Sequence, residues 1–198
     1  ELPALTYGLQ RQQRATSARL GEIDKVLVEL NVLRHPHTAN KNNPLYKAEP
    51  ERWMESQVRR HVQRIHPALL PQLVYGQVLG SLSGERSALD LLAITRSQQL
   101  VILELKASED IHLPLQAFDY WLRICHHLHD NHFTHNGYFP GTMISSLPPQ
   151  MILVSPALHW HPSTDAILRY LPAACQTTRI GLNANWRENL DVVMQISK

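Results

Sequence analysis

The chain has 198 residues, a formal net charge of +2 and a hydrophobic content of 43%, which are ordinary values for one soluble globular domain. No run approaches the roughly 20 apolar residues of a membrane span, no secretory signal is recognisable, and two cysteines give no disulfide framework. We therefore expect a cytoplasmic protein without a membrane partner.

The charges are distributed unevenly along the chain. Residues 1–66 hold eleven Lys and Arg against seven Asp and Glu, whereas residues 67–198 hold eight against ten. The basic first part could meet phosphate groups, although an excess of this size is also common in proteins with no nucleic-acid partner.

The first 50 residues are predicted to form an N-terminal extension. Apolar residues alternate over residues 25–34 after a turn at Gly21, which predicts a β-hairpin with residues 14–20. Residues 35–50 hold three prolines and are typical of a loop. We assign residues 1–50 to this extension and residues 51–198 to the main domain.

Residues 51–66 are predicted to form a helix. Its buried stripe consists of four residues at helical spacing, Met54, Val58, Val62 and Ile65. Glu55 lies beside that stripe, one turn before Arg59. It either pairs with Arg59 on the helix surface or supplies a carboxylate to a functional site.

Two apolar runs that follow, residues 88–94 and 100–106, are predicted to be buried strands, with a further strand over residues 73–79. The runs contain Asp90, Glu104 and Lys106. Charged side chains in buried strands are unfavourable unless they are paired or bind a metal.

A hairpin symmetric about Ser97 would pair Ile94 with Leu100 and place Asp90 opposite Glu104. Two carboxylates at such a short distance repel each other unless a cation lies between them. Mg²⁺ is suited to a site formed by two carboxylates together with water and phosphate. A slip of one residue would turn Asp90 to the other face of the sheet.

A helix is predicted from Pro114 to about His129. A polar stripe runs along it at i, i+4, i+7 and i+11 and comprises Gln116, Tyr120, Arg123 and His127. The adjacent apolar side is lined by Leu115, Leu122 and Leu128. Histidines crowd the end of the helix, and we expect them to lie on the surface, since no Cys or Glu is arranged with them for a metal site.

Later elements alternate between strand and helix. Strands are predicted over residues 151–155, 178–182 and 190–196, with a helix over residues 164–171. The fold class predicted from this order is α/β (α+β), with a mixed central β-sheet flanked by helices.

The ordered set of Asp90, Glu104-Leu105-Lys106 and Gln116-x-x-x-Tyr120 resembles the PD-(D/E)xK nuclease superfamily, in particular its RecB-type and lambda-exonuclease-like branch. The resemblance covers about residues 51–155, and Leu89 stands where the motif name has Pro. It implies a restriction-endonuclease-like core and a Mg²⁺- or Mn²⁺-dependent deoxyribonuclease.

The resemblance also implies roles for individual residues. Metal would be held by Asp90, Glu104, the Leu105 carbonyl and Glu55. Lys106 would act in catalysis, Gln116 would orient the site, and Tyr120 and Arg123 would contact the DNA.

Two alternatives stay open at this point. The chain could be a catalytically inactive nucleic-acid-binding module on the same fold, or an interaction domain in which Asp90, Glu104 and Lys106 form a buried ion-pair network. The sequence also does not decide whether the substrate is DNA or RNA, whether it is single- or double-stranded, and whether it is cut from an end or internally. It does not decide whether the protein is a monomer or a homodimer.

Overall fold

The computed structural model describes residues 6–7, 13–14, 16, 19–76, 78, 89–130 and 132–198. The chain divides into two units, Glu1–Glu49 and Pro50–Lys198. In the described part, no helix is long and apolar enough to cross a membrane. Residues 80–87, which the sequence predicts to be a loop leading into Asp90, lie outside the described residues.

The first unit contains a short antiparallel pair and two helices. Strands β1 (Thr6–Tyr7) and β2 (Gln13–Arg14) pair with each other, and helices α1 (Leu20–Leu33) and α2 (Pro44–Lys47) follow. The strand predicted over residues 25–34 is therefore wrong, because this segment is helical.

The spacing of the less exposed residues of α1 explains why this segment is a helix and not a strand. They recur every three or four positions, at Ile23, Val26, Leu30 and Leu33. This period of about 3.6 residues is helical, and the alternation of apolar residues along the same segment obscured it.

The second unit is built around a six-stranded mixed sheet. Its strands are β3 (Leu69–Gly76), β4 (Leu91–Thr95), β5 (Leu100–Leu105), β6 (Gln150–Pro156), β7 (Thr177–Leu182) and β8 (Val192–Ser197), in spatial order from β3 to β8. The β5–β6 and β6–β7 pairs are parallel and the others are antiparallel. The predicted α+β class with a mixed sheet is confirmed.

Helices flank this sheet. They are α3 (Pro50–Arg60), α4 (Val62–Ile65), α5 (Leu113–His129), α6 (His132–His135) and α7 (Thr164–Arg169). The helix predicted over residues 51–66 is present with an interruption at His61, and its four predicted stripe residues are all buried.

Strands β4 and β5 lie at the centre of the core, and every residue in them is buried. Both faces of the sheet are therefore covered, as the continuous apolar runs predict. On one face, Leu92, Ile94 and Ile102 pack in a cluster with residues of α5.

The buried side of α5 differs from the prediction. Of the three leucines on the predicted apolar side, Leu115 and Leu122 are both about half exposed, at 49%, and Leu128 packs against the core cluster. The buried stripe consists of Leu113, Ala117, Tyr120, Trp121 and Ile124. This stripe contains two large aromatic side chains, and burying them stabilises the fold more than burying the leucine stripe would.

Two crossovers set the position of the functional edge. Helix α5 connects β5 to β6, and α7 connects β6 to β7, so the three parallel strands end at the same edge of the sheet. The carboxyl ends of parallel strands are where open α/β sheets bind ligands.

Candidate functional site

The hairpin of β4 and β5 places Asp90 and Glu104 together. Ile94 pairs with Leu100 and Leu91 pairs with Leu103, so the predicted register is confirmed. The next position in that register brings Asp90, immediately before β4, opposite Glu104. We call Asp90 and Glu104 the carboxylate pair.

Backbone hydrogen bonds hold the carboxylate pair. The N–H of Leu105 donates to Oδ2 of Asp90 at 2.9 Å, and the N–H of Asp90 donates to the Glu104 carboxylate. Glu104 is only 3% exposed, and within the described structure its buried Oε2 has no hydrogen-bond partner. An unsatisfied buried carboxylate oxygen is unfavourable and needs a ligand or a proton.

Burial favours the neutral forms of both acids, and the charges of neighbouring carboxylates add to this effect. Burial, and then the Asp90 charge, raises the pKa of Glu104 to about 9. Burial also raises the pKa of Asp90 to about 6, with repulsion from Glu55 adding to it and the Leu105 hydrogen bond opposing it. Without a cation, the pair therefore holds a proton near neutral pH.

Glu55 approaches the carboxylate pair from α3. Burial raises its pKa, and the charges of Arg59 and Arg52 oppose that effect. A Cβ built on Gly76, at the end of β3, would lie 3.0 Å from Oε1 of Glu55 and 3.4 Å from the Asp90 carbonyl oxygen. Gly76 thus leaves the space that Glu55 occupies, a role that the sequence did not indicate.

Replacing Gly76 with Ala tests whether Glu55 takes part in the site. The added methyl would shift the Glu55 carboxylate by a few tenths of an ångström, and the nuclease that the resemblance implies should then cut DNA up to about tenfold more slowly. Ala is tolerated in a strand at least as well as Gly, so the fold should persist. Gly21→Ala in α1, where a Cβ meets nothing within 4 Å, is the control. Equal cleavage by wild type and Gly76→Ala would contradict the role of Glu55.

Lys106 follows β5 and lies at the rim of the site. Its side chain is 16% exposed, and Nζ is 3.8 Å from Oε2 of Glu51 and 3.6 Å from Oδ2 of Asp110. The charge of Lys106 also lowers the pKa of both members of the carboxylate pair. The sequence did not indicate Glu51 and Asp110, which position the ammonium group.

Helix α5 brings Gln116 to the site. Gln116 lines a pocket together with Lys106, Asp110, His112 and Leu115. The pocket includes Lys106, and the role of Gln116 in orienting the site stays a prediction.

Tyr120 and Arg123 lie further along α5. Tyr120 is 4% exposed and belongs to the core cluster between the helix and the sheet. Arg123 forms an ion pair with Asp119 at 2.9 Å. Their predicted contacts with DNA stay predictions.

The histidines at the end of α5 contact one another and not the carboxylate pair. Nδ1 of His127 lies 2.8 Å from Nδ1 of His132, and Oδ2 of Asp130 lies 3.7 Å from Nε2 of His126 and 3.9 Å from Nε2 of His132. Over the whole described part, no group of three or more His, Cys, Asp or Glu side chains is placed to hold a metal.

The carboxylate pair nevertheless fits a magnesium-like ion. Mg²⁺ is usually bound in proteins by one or two carboxylates and takes its other ligands from water and phosphate. The unpartnered Oε2 of Glu104 and the second oxygen of Asp90 are the available ligands, with Glu55 close by.

No protein-family model matches the chain, and neither a curated protein nor a solved structure does. The likeness to PD-(D/E)xK nucleases therefore rests on the motif residues and their arrangement alone.

Proposed function

We propose that this protein is a metal-dependent nuclease that hydrolyses phosphodiester bonds of DNA, with a restriction-endonuclease-like core. The observation that carries the proposal is the buried carboxylate pair, in which Oε2 of Glu104 has no partner among the described residues. A divalent cation would satisfy that oxygen and offset the repulsion between the two acids.

The proposed roles follow from position. Asp90, Glu104 and the Leu105 carbonyl would hold Mg²⁺ or Mn²⁺, and Glu55 would complete the site through water or a second ion. The bound ion would polarise the scissile phosphate and activate a water molecule.

Other side chains would act on the substrate. Lys106 would stabilise negative charge on the phosphate, and Glu51 and Asp110 would hold its ammonium group in place. Gln116 would orient the reacting groups from the neighbouring pocket, while Tyr120 and Arg123 would contact the strand.

The interaction-domain alternative requires Lys106 to pair with Asp90 and Glu104 in a buried network. The ion pairs of Lys106 are instead with Glu51 and Asp110, whose side chains are 43% and 26% exposed. Oε2 of Glu104 is left unsatisfied without a cation, and these contacts therefore favour the nuclease.

Incubation with linear, circular and single-stranded DNA, in Mn²⁺ and in EDTA, tests the proposal. A nuclease cuts at least one substrate, and only with the metal. An inactive binding module binds DNA without cutting it, and an interaction domain does neither. Preference for linear over circular DNA would indicate cutting from an end.

Metal affinity is expected to rise with pH. The ion binds ionised carboxylates. The pKa values of Asp90 and Glu104 are raised to about 6 and about 9, so at a pH below these values the metal must displace protons in order to bind. Titration calorimetry in two buffers of different ionisation enthalpy should detect proton release near pH 7 that declines toward pH 9 or so. Metal binding without proton release at neutral pH would contradict this.

Gln116 and Tyr120 are expected to affect different steps. Gln116→Ala should slow cleavage with little effect on DNA affinity, whereas Tyr120→Phe should weaken DNA binding and leave metal affinity unchanged. Anisotropy at fixed salt measures DNA affinity, since phosphate contacts depend on salt, and calorimetry measures metal affinity. Wild-type rates and affinities in both variants would show that Gln116 and Tyr120 are not part of the functional site.

A further inference from the structure

A cavity of about 520 Å³ opens where the three parallel strands end. Its lining includes Ala107, which follows Lys106 directly, and the last residues of β6 and β7, Pro156 and Leu182. Consecutive Cα atoms are about 3.8 Å apart, so the cavity begins next to the residue that would stabilise the phosphate. Its volume is that of a small-molecule or nucleotide site.

The lining combines an aromatic ring with a cation. Trp186 and Arg187 both line the cavity, and the Arg187 guanidinium lies 4.3 Å from the Trp186 ring centre and 5.5 Å from that of Trp53. Trp186 is 3% exposed and the guanidinium lies over its ring, so the indole supports the Arg187 guanidinium and exposes little surface of its own to a ligand. No acidic residue occurs among the described residues of the lining.

His159 adds a hydrogen-bonding group. Its Nδ1 lies 3.1 Å from the carbonyl oxygen of Ala107. Because a carbonyl oxygen only accepts, Nδ1 is the donor, and Nε2 of the neutral ring is then an acceptor. A guanidinium plane supported by an aromatic ring can stack on a nucleobase, and an imidazole acceptor can bind the edge of the base.

We infer that this cavity takes an unpaired base of a nucleic-acid strand, next to the phosphate bound at the carboxylate pair and Lys106. This inference rests on the proposed nuclease function and specifies its substrate class. A base in a duplex is stacked and paired and must be extruded before it can enter a pocket. The substrate is therefore single-stranded or locally unpaired.

Two variants with matched controls test the cavity. Ala184→Phe would fill the cavity from an exposed lining position, with Ala184→Ser as its control. Leu158→Ala would remove an apolar lining side chain that is 93% exposed, and Leu147→Ala, at 58% exposed, is the control outside the lining. All three positions are on the surface, so the fold should persist.

The probes are a fluorescent oligothymidylate, an abasic strand with the same phosphates, a duplex of equal length, and free thymidine monophosphate, all in EDTA. We expect wild type to bind the oligothymidylate at least about tenfold more tightly than the abasic strand and the duplex. Ala184→Phe should abolish that preference, Leu158→Ala should reduce it, and both controls should keep it. Equal affinity for strands with and without bases, or an unchanged preference in Ala184→Phe, would overturn the inference. Free nucleotide that binds as tightly as the strand would also overturn it.

Cleavage with Mn²⁺ on the same variants separates this inference from the nuclease function. A base preference in a protein that cuts no substrate would leave the cavity assignment standing and refute the nuclease. Cleavage without any base preference would support the nuclease and refute the cavity assignment.

Discussion

Replacing Asp90 with Asn is expected to reduce DNA cleavage by more than about 100-fold while the fold persists. The amide oxygen of Asn can still accept the hydrogen bond from the Leu105 N–H. The charge that would bind the ion is lost, and with it the polarisation of the phosphate. Cleavage assays with Mn²⁺, accompanied by circular dichroism, measure both effects.

Lys106→Ala belongs to the same experiment. It leaves the carboxylate pair in place and removes the cation proposed to act on the phosphate, so a loss of roughly 10²–10³-fold is expected with metal affinity retained. Asp24→Asn, on the exposed surface of α1, is the matched control. Wild-type cleavage by both Asp90→Asn and Lys106→Ala would place the activity in other residues.

Replacing Glu104 with Gln is expected to raise the melting temperature of the metal-free protein at about pH 8 by several degrees, given roughly 2–4 °C per kcal/mol at this chain length. Burial and the Asp90 charge raise the pKa of Glu104 to about 9, from an ordinary value of 4.5. Between these values the folded state binds more protons than the unfolded state, so stability falls as pH rises through this window. Gln does not titrate and avoids that loss.

The same variant should lose its response to metal. Mn²⁺ binds only the folded wild type and should raise its melting temperature, whereas Glu104→Gln should melt at one temperature with and without the ion. Near pH 4, where the wild-type acid is neutral, the two proteins should melt at similar temperatures. A difference that is the same at both pH values would show that Glu104 is not the titrating group.

The sequence predicted the central hairpin well for a physical reason. Both strands are apolar along their whole length, so neither face alone specified the register. A turn placed symmetrically about Ser97 specified the register, because pairing Ile94 with Leu100 also brought the two buried acids together. The structure has this pairing.

Other features depend on tertiary contacts that no local pattern records. Helix α5 offers two apolar stripes, and the choice between Leu122 and Trp121 depends on the sheet beneath it. The space at Gly76 becomes meaningful only when α3 lies against β3. Likewise, the cavity joins the ends of three strands that are far apart in sequence.

Calorimetric titration of Mn²⁺ into the wild type and into an Asp90→Asn, Glu104→Gln double variant tests the central claim most directly. We predict that the wild type binds the ion at about pH 8 in a site that the double variant lacks, and that DNA cleavage disappears with that site. Binding of the same affinity and stoichiometry in both proteins would contradict the assignment of the carboxylate pair as a metal centre.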